Sequence, residues 1–394
     1  MKIVYCINSV YLPGGMEKVT IVKANALARI PGNEVWIVVT DAQKEPVVPL
    51  ERVHLVNLNV RYYDLNVGLL KYLKKTRLHK KRLTEYLNII KPDVVIATGQ
   101  SEKNIVPSLK ILSNPILILE LHFEKQFRMK ENLHGLRSRL LARGANFYDN
   151  HRRFNRYDHI VILTKEDLQR NWNGWKNVSV IPNPLTSIIE KKSACDTRIA
   201  IAMGRLVFQK DFASLVRIWE KVALKHPEWR LEIWGEGEMR QSLQQQIEEA
   251  DLKDKVFLKG YTSEPLKTMS QSSLFLLSSK YEGLPLVIIE AMSVGLPIVS
   301  YMCPTGPQDV LDDGRTGYLV PQGEEDVFAE KVCAIIENDT LRKAMGRAAL
   351  EESKKYAVEN IAPRWMTLFQ ELLKHKRKKG KMRSIINDRE KLAP

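Results

Sequence analysis

Long apolar runs are missing from this sequence. No stretch approaches the roughly 18 apolar residues that a membrane-crossing helix needs. The opening segment Met1 to Val10 has one lysine and a short apolar run, too short for a secretory signal and better suited to a first strand. A cytoplasmic location is the expectation. Cysteine is scarce: Cys6, Cys195, Cys303 and Cys333 are all far apart, which excludes a zinc ribbon and a CxxC redox pair. Free thiols in a reducing compartment are expected. The GxGxxG fingerprint is absent, which disfavours a nicotinamide cofactor. No DxD-type acidic pair closes a strand, since Asp312-Asp313 stand in a turn before Gly314, where solvated acids are ordinary. No metal site is therefore assigned. No helix-turn-helix, zinc or aromatic-platform motif accompanies the positive charge, which sets nucleic acid aside as a partner.

What is present is enough for two cores. The chain has 394 residues, 44% of them hydrophobic, longer than one core usually grows. Its formal net charge is +15. Cations crowd three segments: Lys71 to Arg82, Arg128 to Arg156, and Lys374 to Arg383. Two of these lie in the first half, whereas acids are commoner in the second. The first half is thus suited to an anionic surface or acceptor.

Strands alternate with helices throughout, which argues for mostly parallel sheets covered on both faces. Strands are expected at Lys2–Ile7, Glu34–Val39, His54–Leu58, Val94–Ala97, Pro115–Leu121, His159–Leu163 and Val178–Ile181. A helix opens near Met16 with Val19, Val22, Ala26 and Ile30 on one face. A basic helical stretch with Leu133, Leu136, Leu140 and Leu141 follows Phe127. Pro182-Asn183-Pro184 stops the pattern. It restarts with strands at Arg198–Met203, Leu231–Trp234, Val256–Lys259, Leu274–Leu277 and Pro297–Tyr301. After Val320 the chain turns helical, with a last helix over Ala362 to Lys374. The expected organisation is residues 1–184, 185–358, a helix over 359–375 and a basic tail over 376–394. The tail is either a solvated end or a contact with acidic lipids.

In doubly wound sheets, ligands bind beyond the carboxyl ends of the strands. Gly14 and Gly15 follow the first strand and open a helix, so backbone can approach an anion closely there; a plain surface turn reads almost as well. Arg205 and Lys210 follow the first strand of the second half. A planar fork and a point charge suit a diphosphate, although for these two residues taken alone surface pairing is the stronger reading. Glu282 closes a strand and Glu290 comes eight positions later, inside an otherwise apolar helix face. A carboxylate there needs satisfying, by sugar hydroxyls that it can accept in pairs or by a structural salt bridge.

Taken together, Gly14-Gly15, Arg205 with Lys210, and Glu282 with Glu290 resemble the retaining family-4 glycosyltransferases of the GT-B class, which include many bacterial surface-polysaccharide enzymes. The loop Cys303-Pro304-Thr305-Gly306-Pro307 and the run Gly314 to Val320 are similar to the family's as well. The second half is covered almost fully, the first more thinly. The resemblance implies a GT-B fold, two Rossmann-like α/β domains facing a central cleft. It implies that Gly14 and Gly15 face the donor diphosphate, that Arg205 and Lys210 neutralise it, that Glu282 holds hydroxyls of the transferred sugar and that Glu290 holds the ribose. The N–H groups of Gly283 and Leu284 would support the diphosphate or sugar. His122, at the end of the Pro115 strand, is where the family often places a histidine near the reacting carbon; a purely structural histidine at a strand end is the alternative. Glu120, on the same strand face, would orient it.

The resemblance further implies transfer of a hexose or N-acetylhexosamine from a nucleotide-diphosphate sugar, with UDP as the expected nucleotide and GDP as the alternative. Configuration would be retained by front-face displacement, with no divalent metal and no cofactor beyond the donor itself. The expected acceptor is a glycan or lipid-linked intermediate at the anionic inner face of the plasma membrane, reached by peripheral contact. A soluble small-molecule acceptor is the alternative.

Overall fold

A computed structural model of the chain describes residues 1–11, 14–41, 45–60, 69–122, 143–145 and 147–390. Seven parallel strands form a first sheet: β1 (Lys2–Ile7), β2 (Glu34–Val39), β3 (Val53–Asn57), β4 (Val94–Ala97), β5 (Ile116–Glu120), β6 (His159–Ile162) and β7 (Val178–Val180), in the order β3-β2-β1-β4-β5-β6-β7. Six more form a second parallel sheet: β8 (Ile199–Met203), β9 (Arg230–Trp234), β10 (Val256–Gly260), β11 (Leu274–Leu277), β12 (Ile298–Tyr301) and β13 (Gly317–Val320), in the order β10-β9-β8-β11-β12-β13.

The unbroken apolar runs of the central strands have a direct cause. Along β1, Ile3, Tyr5 and Ile7 enter one core while Val4 and Cys6 enter another on the opposite face. In β8, Ala200 and Ala202 point to one core and Ile201 to the other. A strand covered on both sides has no polar face to alternate with. Strand order reverses between β1 and β4, and again between β8 and β11, so each sheet has a crevice at the carboxyl ends of those strands.

The first lobe carries α1 (Gly15–Arg29), α2 (Leu69–Ile90), α3 (Gln100–Ile105) and α4 (Lys165–Asn171). The second carries α5 (Phe212–Lys225), α6 (Arg240–Glu249), α7 (Pro265–Met269), α8 (Leu286–Ser293), α9 (Pro307–Val310), α10 (Glu325–Glu337) and α11 (Asp339–Ser353). A final helix, α12 (Val358–Glu390), returns to the first lobe. Its Ile361, Trp365 and Phe369 are buried in the core that also holds Ile21, Ala24 and Leu27 of α1. Where the chain crosses between lobes, the Leu185 N–H donates to the Tyr356 carbonyl at 2.8 Å, and Arg364 donates to the Val180 carbonyl at 2.8 Å.

Four local expectations change. The buried face of α1 includes Val19, Thr20, Ile21, Lys23, Ala24 and Leu27, whereas Val22, Ala26 and Ile30 are only half-buried. The helix is gripped on two sides, by the sheet and by α12, so its contact face is wider than a single stripe. The last helix begins before Ala362 and runs past Lys374 to Glu390; the tail sequence is rich in good helix formers. Gly317–Val320 is an edge strand, half-buried at its middle, and its short mixed pattern gave no strand period. The short helices α3, α4, α7 and α9 carry too few residues to show one. Residues 123–142, which hold Leu133, Leu136, Leu140 and Leu141 of the expected basic stretch, lie outside the described residues, as do Pro13 and residues 391–394 of the tail; farther along, Asp149–Arg153 and Phe154–Arg156 form short helical turns.

Candidate active site

The site is built from the second lobe outward. The loop after β8 runs tightly against the loop after β9. A Cβ on Gly235 would collide with the Gly204 carbonyl oxygen, and Gly235 also has φ 144, a conformation that favours glycine. The 3-10 turn Phe208–Lys210 is then fastened to the segment after β11. The Lys280 N–H donates to the Gln209 carbonyl at 2.8 Å, the Gln209 amide donates to the Tyr281 carbonyl at 2.9 Å, and the Ser278 hydroxyl donates to the Lys210 carbonyl at 2.9 Å. Lys280 pairs with Asp211 at 2.7 Å. These bonds bring Lys210 to Glu282, with Nζ 2.6 Å from Oε1. The aliphatic part of Lys210 lies over Gly204, where a built Cβ would be 3.3 Å from Lys210 Cε. Arg205, in the same loop, is exposed.

Glu282 is 8% exposed. Its N–H donates to the Pro304 carbonyl at 3.3 Å, and its own carbonyl accepts from the Thr305 hydroxyl. Gly306, at φ 113, presses on Gly283 so closely that a Cβ would sit 2.5 Å from the Gly283 carbonyl oxygen. Gly283, the buried Leu284 and Pro285 lead into α8, whose start is capped by no side chain. Four N–H groups at such an end lack intrahelical partners and favour an anion. Further along α8, burial pushes the Glu290 carboxyl up to about 7, against the charge of Lys18 on α1 and a hydrogen bond with Thr186.

The first lobe meets this surface at α1. Gly14 is the N-cap and Gly15 the first helical residue. The Glu17 side chain folds back over Gly14, where a Cβ would collide with Oε2, and a Cβ on Gly15 would be 3.0 Å from Leu286 Cδ1 at the start of α8. The two glycines thus permit close approach within α1 and across the cleft. Burial raises the Glu17 carboxyl, opposed by its own N–H and by His122. His122 stands just beyond β5, with Nε2 3.5 Å from Glu120 Oε1 and Nδ1 3.5 Å from Asn183 Nδ2. A second bridge joins the lobes. The Asp309 carboxylate on α9 accepts from the N–H groups of Lys165 at 3.1 Å and Glu166 at 2.9 Å, at the start of α4.

The structure therefore joins Lys210 to Glu282, sets Gly15 against the start of α8, and places Glu290 near Lys18 and His122 near Glu17. Sequence reasoning missed Glu17, Lys18, Thr186 and Asp309. One signal was available: Glu17 is the third helical residue, where a glutamate reaches back to the helix start. Asn183 read only as a boundary marker. Asp312 and Asp313 are occupied locally, by Arg315 and by the Leu319 N–H. Among the described residues, no group of three or more His, Cys, Asp or Glu side chains is arranged to hold a metal ion.

Residues 186–352 match the family described as Glycosyl transferases group 1. The chain is 27% identical over 368 residues to an uncharacterized glycosyltransferase of Haemophilus influenzae, spanning 92% of this chain and 98% of that protein. It is 30% identical over 218 residues to poly(ribitol-phosphate) alpha-N-acetylglucosaminyltransferase of Staphylococcus aureus, covering 55% of this chain and 44% of that one. Its fold matches the crystal structure of a mutant of S. aureus TarM in complex with fondaparinux, alpha-GlcNAc-glycerol and UDP. The TM-score is 0.73 at 17% identity, over 93% of this chain and 99% of that one. Two parallel-sheet lobes meeting at the carboxyl ends of their strands give the chain a GT-B fold, and the match over residues 186–352 makes its second lobe similar to the glycosyl transferases of group 1.

Proposed function

We propose that the chain transfers a hexose or N-acetylhexosamine from a nucleotide-diphosphate sugar, UDP-linked, to a lipid-linked or surface-polysaccharide acceptor with retention of configuration. The observation that carries this reading is the Lys210–Glu282 contact of 2.6 Å, beside the point where the starts of α1 and α8 abut. Residues 1–184 form the acceptor side and 185–358 the donor side, with 359–375 returning to the first.

Lys210, Arg205 and the N–H groups of Gly283 and Leu284 offset the charge that grows on the leaving diphosphate, and Gly14 and Gly15 admit it to the start of α1. Glu282 accepts from hydroxyls of the sugar, and Glu290 accepts from the ribose. His122 lies beside the reacting carbon. The acceptor oxygen attacks on the face that the diphosphate leaves. The anomeric C–O bond to phosphate breaks, a new one forms on the same side, and the acceptor's proton passes to the departing phosphate oxygen. Positioning and fixed charge supply the catalysis, and fixed cations do the work that a divalent ion does elsewhere. Support for the donor and acceptor classes comes from the S. aureus relative named for N-acetylglucosamine transfer to poly(ribitol phosphate) and from the UDP in the TarM complex.

Peripheral contact with an anionic bilayer is part of the reading. No described helix is long and apolar enough to cross a membrane. On α2, Leu70 is 77% exposed, and Tyr72 and Leu73 are exposed beside Lys71 and Lys74. This mixture of apolar and basic groups suits a bilayer interface.

The test is thermal shift with UDP-, GDP- and ADP-sugars, with and without magnesium, followed by NMR assignment of the product's anomeric configuration. Stabilisation by a UDP-sugar without magnesium and a retained configuration are expected. An inverted product, or stabilisation only with magnesium, overturns the mechanism. Vesicles containing phosphatidylglycerol should bind the chain, and full activity on soluble acceptors without such binding would refute the membrane component.

A further inference from the structure

A lysine lies buried behind the site, on no surface that a donor reaches. Lys23 of α1 and Glu120 of β5 are each 1% exposed and form an ion pair. The Lys23 ammonium is 5.0 Å from the ring centre of Trp365 on α12 and 5.9 Å from that of Tyr5 on β1. Apolar residues of similar shape would hold these elements together at least as well, because desolvating two charges offsets much of their attraction. The pair's geometry suggests a further role. Glu120 Oε1, the oxygen that Lys23 contacts, is also the one 3.5 Å from His122 Nε2. Glu120 Oε2 has no hydrogen-bond partner among the described residues.

We propose that Lys23 is a positioning residue for His122, acting through the single Glu120 oxygen that both approach. The inference rests on the reading of His122 as a residue of the reaction centre. Glu120 directs the Nε2 edge of the imidazole inward and leaves Nδ1 turned toward Asn183 in the interlobe connection. Lys23 shares the charge of that carboxylate and so sets how strongly it attracts a proton on His122. Burial pushes the Glu120 carboxyl up, but the charges of Lys23 and His122 and the Lys23 hydrogen bond outweigh it and hold it at about 2. Among the described residues, the other ionisable groups facing the cluster are Tyr5 on β1, near Glu120, and Glu17 on α1, near His122. Trp365 makes α12 one wall of the arrangement, so the helix that returns from the second lobe borders the cation behind His122.

The experiment is a pH titration of the full chain with 15N-labelled histidine, the His122 signal being identified by its loss in His122→Gln. Deleting a buried cation raises the proton affinity of its neighbours, and deleting a buried anion lowers it. Lys23→Met should therefore raise the His122 midpoint by about one pH unit, and Glu120→Gln should lower it by about the same. A folded Lys23→Met variant that titrates like the parent overturns the inference. If Lys23→Met does not fold, Lys23→Gln, which keeps a polar group beside the Glu120 oxygen, is titrated in its place. An upward shift relative to the parent supports the inference, and no shift overturns it. Release of UDP from UDP-N-acetylglucosamine separates the two levels. Normal turnover by His122→Gln removes the reading of His122 and this inference with it. Impaired turnover by His122→Gln with an unmoved titration in Lys23→Met removes the inference alone.

Discussion

The Lys210 ammonium lies 2.6 Å from the Glu282 carboxylate across 72 residues of sequence. The contact exists because the turn after β8 is hydrogen-bonded to the segment after β11, whose strands are neighbours at the point where sheet order reverses. Each residue holds the other in place beside the start of α8. On the proposed reading, a donor phosphate would meet a lysine that is already oriented.

Lys210→Met and Glu282→Ala should each lower the rate constant for transfer by about 100-fold or more: a fixed cation at a leaving group is worth about 3 kcal/mol, and Glu282 both orients that cation and positions the sugar. Circular dichroism should show an intact fold, with melting lowered by several degrees for the loss of one partner of a largely buried pair. Normal turnover by either variant would refute the assignment.

Glu290 gives a pH signature. Its folded carboxyl is raised to about 7 by burial, as is that of Glu102. An unfolded glutamate titrates near ~4.3. The native state therefore binds the extra protons between those values. The stability from each group is complete below about 4.3 and is lost as pH rises through about 7. Urea unfolding should show the chain less stable at pH 8 than at pH 6, with a smaller difference in Glu290→Gln. Uridine diphosphate affinity should move oppositely, rising through pH 7 as the ionised carboxylate becomes available to hydroxyls. That rise should be absent in Glu290→Gln.

Asp309 ties the second lobe to the start of α4 in the first. Asp309→Ala removes the acceptor for two helix-start N–H groups, a loss of about 1 kcal/mol. Small-angle scattering should show a larger radius of gyration without nucleotide, and UDP should bind several-fold more weakly. Unchanged scattering and affinity would show that the link does not govern how the lobes meet.

Trp365 is 1% exposed in the core of the first lobe, although it belongs to the last helix. Trp365→Ala should cost about 3–5 kcal/mol. Hydrogen exchange should locate the loss in β1, α1 and α12 rather than in the second sheet. Uniform loss over both lobes, or none, would contradict this packing.

The central strands were legible because two-sided burial leaves an unbroken apolar run, as in Lys2–Ile7 and Leu274–Leu277, both located to the residue. The candidate site was legible where a residue type was out of keeping with its surroundings: a glutamate in the apolar face of α8, or adjacent glycines before a helix. Glu17 and Asp309 were hidden because their partners come from tertiary packing, and an acid at a helix start reads as ordinary surface. The face of α1 was misjudged because a period shows one contact stripe, and α12 supplies a second wall from more than 300 residues away.

Local chemistry thus dictated the order of strands and helices, the break at Pro182-Asn183-Pro184 and the cations and acids available for a site, since each depends on a residue and its near neighbours. Which of those groups meet was decided only by folding. Lys210 with Glu282, Lys18 near Glu290 and Lys23 between Glu120 and Trp365 are all long-range pairings. Each arises from sheet order, lobe contact or the returning helix, and burial then makes the resulting charge placement strong.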